Sequence, residues 1–168
     1  MPAASEPAGS AGPGGRPGPF GPVALPHTWR PFGVRVAGTI FGAGLLAVCV
    51  MTWVGFDDAT RAKFTMFQRG TLIFFGVLAF VVWFALMRSR VVAEASRLVV
   101  VNGYRRREYA WPQVVAVRLP PGAPWVTLDL ADGTSAAAMG IQGSDGGRAK
   151  KAVRELRAVA DHQTRSAG

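Results

Sequence analysis

Two uninterrupted apolar stretches divide the chain into segments of unlike pattern. Residues 36–54, VAGTIFGAGLLAVCVMTWV, carry no charge over nineteen positions, and residues 70–87, GTLIFFGVLAFVVWFALM, carry none over eighteen. As α-helices rising ~1.5 Å per residue, each would extend roughly 27–28 Å, close to the hydrocarbon thickness of a bilayer. Trp53 and Trp83 fall toward the ends of these runs, where interfacial aromatics are expected. The first run is too long for a signal peptide and lies behind a Pro/Gly-rich segment, so both runs are read as transmembrane helices.

After residue 88 the pattern changes to short β-branched runs separated by turn residues. VVAEA and RLVVV are followed by YRRREYA, with Asn102-Gly103 between the last two. An Asn-Gly pair between β-rich runs predicts a hairpin in which both turn residues take positive φ. VVAVRL follows Trp111-Pro112, PPGAP turns the chain into WVTLDL, and Asp132-Gly133 turns it again into TSAAAM. Beyond the Gly-rich GIQGSDGG, the residues Ala149, Ala152, Val153, Leu156 and Val159 recur at helical spacing, with Ser144 or Asp145 as the expected N-cap. The pattern predicts six or seven short antiparallel strands closed by one C-terminal helix. Which face of RLVVV meets the core stays open, because Leu98/Val100 and Val99/Val101 are equally apolar.

The ends are different again. Pro, Gly and Ala fill eighteen of residues 1–26, a composition that cannot bury enough apolar surface to offset its ordering entropy. The expected organisation is a disordered tail over 1–30, a two-helix hairpin over 31–88, a soluble domain over 89–162 and a disordered end over 163–168.

Charge sets the orientation and the class of partner. Nineteen Lys and Arg against ten Asp and Glu leave +9, which favours anionic partners. Arg30 and Arg35 precede the first run, and Arg88, Arg90, Arg97 and Arg105–Arg107 follow the second, against Arg61, Lys63 and Arg69 between them. The positive-inside bias therefore places both termini in the cytoplasm, in a multi-pass protein of the inner (plasma) membrane. The candidate contacts to anionic lipid are Arg88, Arg90, Arg97, Arg105, Arg106 and Arg107, together with Lys150, Lys151, Arg154 and Arg157 on the polar face of the C-terminal helix. Gly38 and Gly42 form a GxxxG spacing, either for packing between the two helices or for a homodimer or another membrane protein.

Catalytic and metal chemistry finds little support. One cysteine, Cys49, and two histidines, His27 and His162, exclude a disulfide framework and a multi-His metal centre within one chain. Asp57-Asp58 reads as a polar turn that caps the second helix, and His162 as a surface residue. No phosphate-binding Gly-rich loop or H-E-x-x-H occurs. No catalytic residue, cofactor or metal is expected. No recognition helix or basic-aromatic strand motif points to nucleic acid.

The run RLVVVNGYRRREYAWPQVVAVRLP, then WVTLDLADGTSAAAMGIQ and RAKKAVREL, resembles the small bacterial pleckstrin-homology (PH) domains of actinobacterial membrane proteins. The resemblance covers about residues 30–160 and implies two transmembrane helices ahead of a PH-like barrel or sandwich capped by a helix. PH domains that bind inositol phosphates carry a Lys near the end of the first strand and a basic pair in the second. This chain has Glu94, Ala95, Ser96, Arg97, Leu98 and Val99 there, too few cations for a phosphate pocket. The resulting expectation is a non-enzymatic membrane protein whose cytoplasmic module scaffolds a protein partner or an assembly. The alternative is diffuse electrostatic reading of anionic lipid.

Overall fold

The computed structural model describes residues 23–166. Residues 1–22 of the tail expected over 1–30, and the last two residues, lie outside this range. In chain order the elements are β1 (His27–Trp29), α1 (Phe32–Gly55), α2 (Asp58–Lys63), α3 (Met66–Arg88), β2 (Arg90–Ala93), β3 (Arg97–Asn102), β4 (Arg105–Ala110), β5 (Val114–Arg118), β6 (Trp125–Leu130), β7 (Ser135–Gln142) and α4 (Gly147–Ser166). Two apolar helices thus precede a PH-like unit of two antiparallel sheets, ordered β1-β2-β3-β4 and β5-β6-β7, with a C-terminal helix. The sheets do not close into a barrel.

The core lies between the sheets and the apolar face of α4. Leu98, Leu128, Leu156, Val91 and Val126 are among its fully enclosed side chains. Leu98 and Val100 point into this core, across from Tyr109 and Arg107 in register, which settles the face of β3. Val99 and Val101 are also buried on the opposite face, opposite Glu108 and Arg106.

Two expectations change at the domain edges. Residues 27–30 do not belong to a tail, because His27–Trp29 pair with Ala93, Val92 and Val91 of β2. Trp29 is buried in the core, and its indole Nε1 donates to Glu155 Oε2 of α4 at 3.0 Å. Pro31 is fully buried before α1 begins. At the other end, α4 continues through residues 163–166 rather than ending at 162.

The β3–β4 turn also differs from a two-residue Asn-Gly turn. Asn102 remains in β3 opposite Arg105, so the turn residues are Gly103 and Tyr104, and only Gly103 has positive φ, +61°. Glycine first is the pattern of a type II′ turn, which also suits strand twist. Asn102 is thereby free to bridge to β7: its amide donates to Ala137 O at 2.6 Å and its carbonyl accepts from Met139 N at 2.9 Å.

The helices α1 and α3 are each long and apolar enough to cross a membrane, and none of their residues is buried within the chain. Asp57 does not cap α3. It caps α2, accepting from Thr60 N at 3.1 Å, and Thr60, first through its side chain and then its backbone N–H, holds its carboxyl below the usual range. Thr65 caps α3 in a reciprocal capping box with Gln68. Arg61 closes the far end of α1 by donating to Val54 O at 2.8 Å and Trp53 O at 3.2 Å, where C-terminal carbonyls lack helical partners.

Candidate functional site: a cationic junction and an open strand edge

The domain is bolted to the helix ends by side chains from distant parts of the sequence. Pro31 stands at the N-cap of α1 and offers no side-chain acceptor. Asp145 supplies one instead, accepting from Phe32 N at 2.9 Å and Gly33 N at 2.7 Å. A carboxylate here satisfies two orphan donors and complements the helix dipole. Asp145 is therefore not the N-cap of α4 that the sequence suggests. It lies in a 3₁₀ turn, and Gly146 at φ +56° separates it from α4. One turn later, the Arg148 guanidinium lies 4.0 Å from the centre of the Phe32 ring.

A second bolt joins the β3–β4 turn to α3. A Cβ on Gly103 would come within 3.3 Å of Ala85 Cβ, a close approach that suits glycine. Gly103 N donates to Ser89 Oγ at 3.0 Å, and Tyr104 Oη donates to Val81 O at 2.9 Å. Arg88 lies over both Phe84 and Tyr104, at 5.6 and 6.0 Å from the ring centres. Together these contacts fix the PH-like unit against the N-terminal end of α1 and the C-terminal end of α3.

The ten basic residues singled out from the sequence separate into groups with different surroundings. Arg97 bonds to Glu94 at 2.7 Å and Glu108 at 2.9 Å, and Arg106 bonds to Glu108 at 2.7 Å. Glu94, then Glu108, raises the pKa of the Arg97 guanidinium, which is thus engaged with protein acids. Arg88 and Arg90 lie at the junction, and Arg105 follows Tyr104 directly. Arg105 and Arg107 are exposed and form no ion pair among the described residues. On α4, Lys151 sits 3.7 Å from Glu155, and Lys150 and Arg154 are exposed. Arg157 Nε donates to Val117 O of β5 at 2.8 Å. Arg157 lies nine residues beyond Arg148, ~13 Å along the helix from the junction.

Arg30 and Arg35, which the sequence marks only as topological charges, and Arg148, which it does not single out, belong to the junction. Their common location depends on Asp145 and β1, whose partners are non-local. The two glycines part company. Gly38 packs within the chain, with room for a Cβ 3.7 Å from Trp83 Cδ1, whereas nothing lies within 4 Å of a Cβ at Gly42. Among the described residues no cluster of three His, Cys, Asp or Glu could hold a metal ion.

A second feature lies along β5, which pairs with β6 on one side and, among the described residues, has no strand on the other. Its register skips Val115 at a bulge, and that side chain is 67% exposed. Between β5 and the second half of α4 runs a groove of about 880 Å³, lined by Val115, Val117, Arg157, Ala160, Asp161 and Arg165 among others.

Residues 88–158 match the family model described as bacterial PH domain, in agreement with the strand order and capping helix. The chain is also similar to uncharacterised proteins from two Mycobacterium tuberculosis strains and from Mycobacterium bovis. Each is 28% identical over 140 residues, which cover 82% of this chain and 86% of the relative. No solved structure gives a significant match.

Proposed function

We propose that α1 and α3 span the inner membrane with both termini in the cytoplasm, and that the PH-like unit is a non-enzymatic module that captures a protein partner there. The pairing of β1 with β2 supports a single-sided arrangement, since β1 leads into α1 and β2 leaves α3. The observation that carries partner binding is the edge of β5 beside α4, which no strand covers among the described residues and where Arg157 occupies only Val117 O. Unpaired strand edges present backbone donors and acceptors to an incoming extended segment, and side-chain pockets select its sequence. Exposed Val115 gives that segment an apolar contact, and the arginines lining the groove outnumber its one acid, Asp161.

The test places a photo-crosslinking residue at position 115 of the full chain in membranes. The expected result is a discrete protein adduct whose crosslinked segment, made as a peptide, binds the purified chain and loses binding to Val115→Asp. An absence of any discrete adduct at 115 would count against the reading.

A second reading has its own observation. Arg30, Arg35, Arg88, Arg90, Arg105 and Arg148 collect where the unit meets the helices. Cations near anionic headgroups contribute about 1 kcal/mol each, decaying within a Debye length. Diffuse attraction of this kind orients the unit on the membrane, and it is expected to weaken with salt and to ignore headgroup stereochemistry.

A further inference from the structure

We propose that a groove beside the first turns of α1 binds one anionic phospholipid, with Arg30 and Arg35 on its phosphate and the acyl chain against the helix. The inference rests on the membrane-spanning reading of α1 and α3. The groove encloses about 490 Å³, and its walls come from Arg30, Phe32, Arg35, Val36, Ile40 and, across from α1, Met87 of α3. Polarity along it is graded. The two guanidiniums lie at the domain end, and Val36 and Ile40, four residues apart on one helix row, continue away from the domain. A phospholipid has the same order of charge and hydrocarbon along its length.

Three observations favour this occupant. Neither Arg30 nor Arg35 forms an ion pair among the described residues. Asp145, the acid that touches this turn, is committed to the backbone N–H groups of Phe32 and Gly33. The cation over the Phe32 ring is Arg148, so the domain holds one wall of the groove in place. Guanidinium groups suit phosphate because their planar forks bond two oxygens at once. The groove differs from diffuse attraction in using only these two arginines.

The full chain, purified in mild detergent, would be offered phosphatidylglycerol or phosphatidylcholine of identical acyl composition, with bound lipid counted by native mass spectrometry. The expected result is one phosphatidylglycerol per chain, preferred at least about tenfold over phosphatidylcholine. Arg30→Ala/Arg35→Ala should lower that retention about tenfold or more, and Lys63→Ala, in the exposed connection at the far end of the helices, should leave it unchanged. Soluble glycerol 3-phosphate should not displace the lipid; displacement would assign the arginines to free phosphate esters and overturn the lipid proposal. Equal retention of both lipids, or unchanged retention in Arg30→Ala/Arg35→Ala, would overturn it as well. Should the double alanine variant fail to fold, Arg30→Gln and Arg35→Gln taken singly carry the same comparison. Extraction of the wild-type chain from membranes by alkaline carbonate would overturn the spanning reading and this inference together. An integral chain without lipid preference overturns the inference alone.

Discussion

Removing the Asp145 carboxylate should loosen the start of α1 without unfolding the PH-like unit. Asp145 accepts two backbone hydrogen bonds, from Phe32 N at 2.9 Å and Gly33 N at 2.7 Å, and Pro31 provides no substitute. Loss of a helix cap costs ~0.5–2 kcal/mol, and the partial exposure of these bonds keeps the charge contribution modest. An expected cost of about 1–2 kcal/mol corresponds to local opening roughly 5- to 30-fold more often. Hydrogen exchange of the full chain in detergent micelles, followed by mass spectrometry over a peptide spanning residues 30–36, reads this directly. Asp145→Ala should speed exchange there by that factor, while the strands of the β3–β4 hairpin keep their protection. Gly33→Ala offers an independent route to the same effect, since a Cβ there would come within 2.8 Å of Asp145 Oδ1. Unchanged exchange in both variants would refute the claim that the domain caps the helix.

Leu156 is fully buried under the sheets, so Leu156→Ala should destabilise the chain by about 2–5 kcal/mol in denaturant titrations; a loss below ~0.5 kcal/mol would mean α4 does not cap the core. Trp29→Ala removes a buried ring and its bond to Glu155 and should cost about 3–5 kcal/mol. For the same reason a fragment beginning at residue 91 should unfold at lower denaturant than one in which residues 23–31 are joined to it by a flexible linker. Thr134, chiefly through its side chain, holds the Asp132 carboxyl below the usual range, so this contribution is present above about pH 4 and is lost as pH falls further. Thr134→Val should flatten that acid limb of the stability–pH profile, and an unchanged limb would show the contact to be inert.

Local patterns made much of this architecture legible. The two apolar runs locate α1 and α3, and the spacing of Ala149, Ala152, Val153, Leu156 and Val159 marks the buried face of α4. Asp132-Gly133 turns β6 into β7, with Gly133 at φ +80°. What escaped notice depends on partners far away in sequence. His27–Trp29 is too short to show a strand period and borders a Pro/Gly-rich segment, yet β2 gives it a neighbour across both long helices. Asp145 sits where a cap for α4 belongs, and only the fold reveals that its carboxylate serves α1. The arginine runs were visible as charge. Their division into acid-paired Arg97 and Arg106, carbonyl-bound Arg157 and exposed Arg105 and Arg107 follows from register and from Glu94 and Glu108.

The central claim is a helical hairpin that leaves one edge of a PH-like unit, crosses the membrane and returns to it. Single-cysteine labelling in a Cys49→Ala background tests it most directly, with Thr60→Cys in the α1–α3 connection and Thr134→Cys in the β6–β7 turn. In intact cells a membrane-impermeant maleimide should label position 60 and leave position 134 untouched until the membrane is opened. Labelling of position 134 with protection of position 60 would contradict the account.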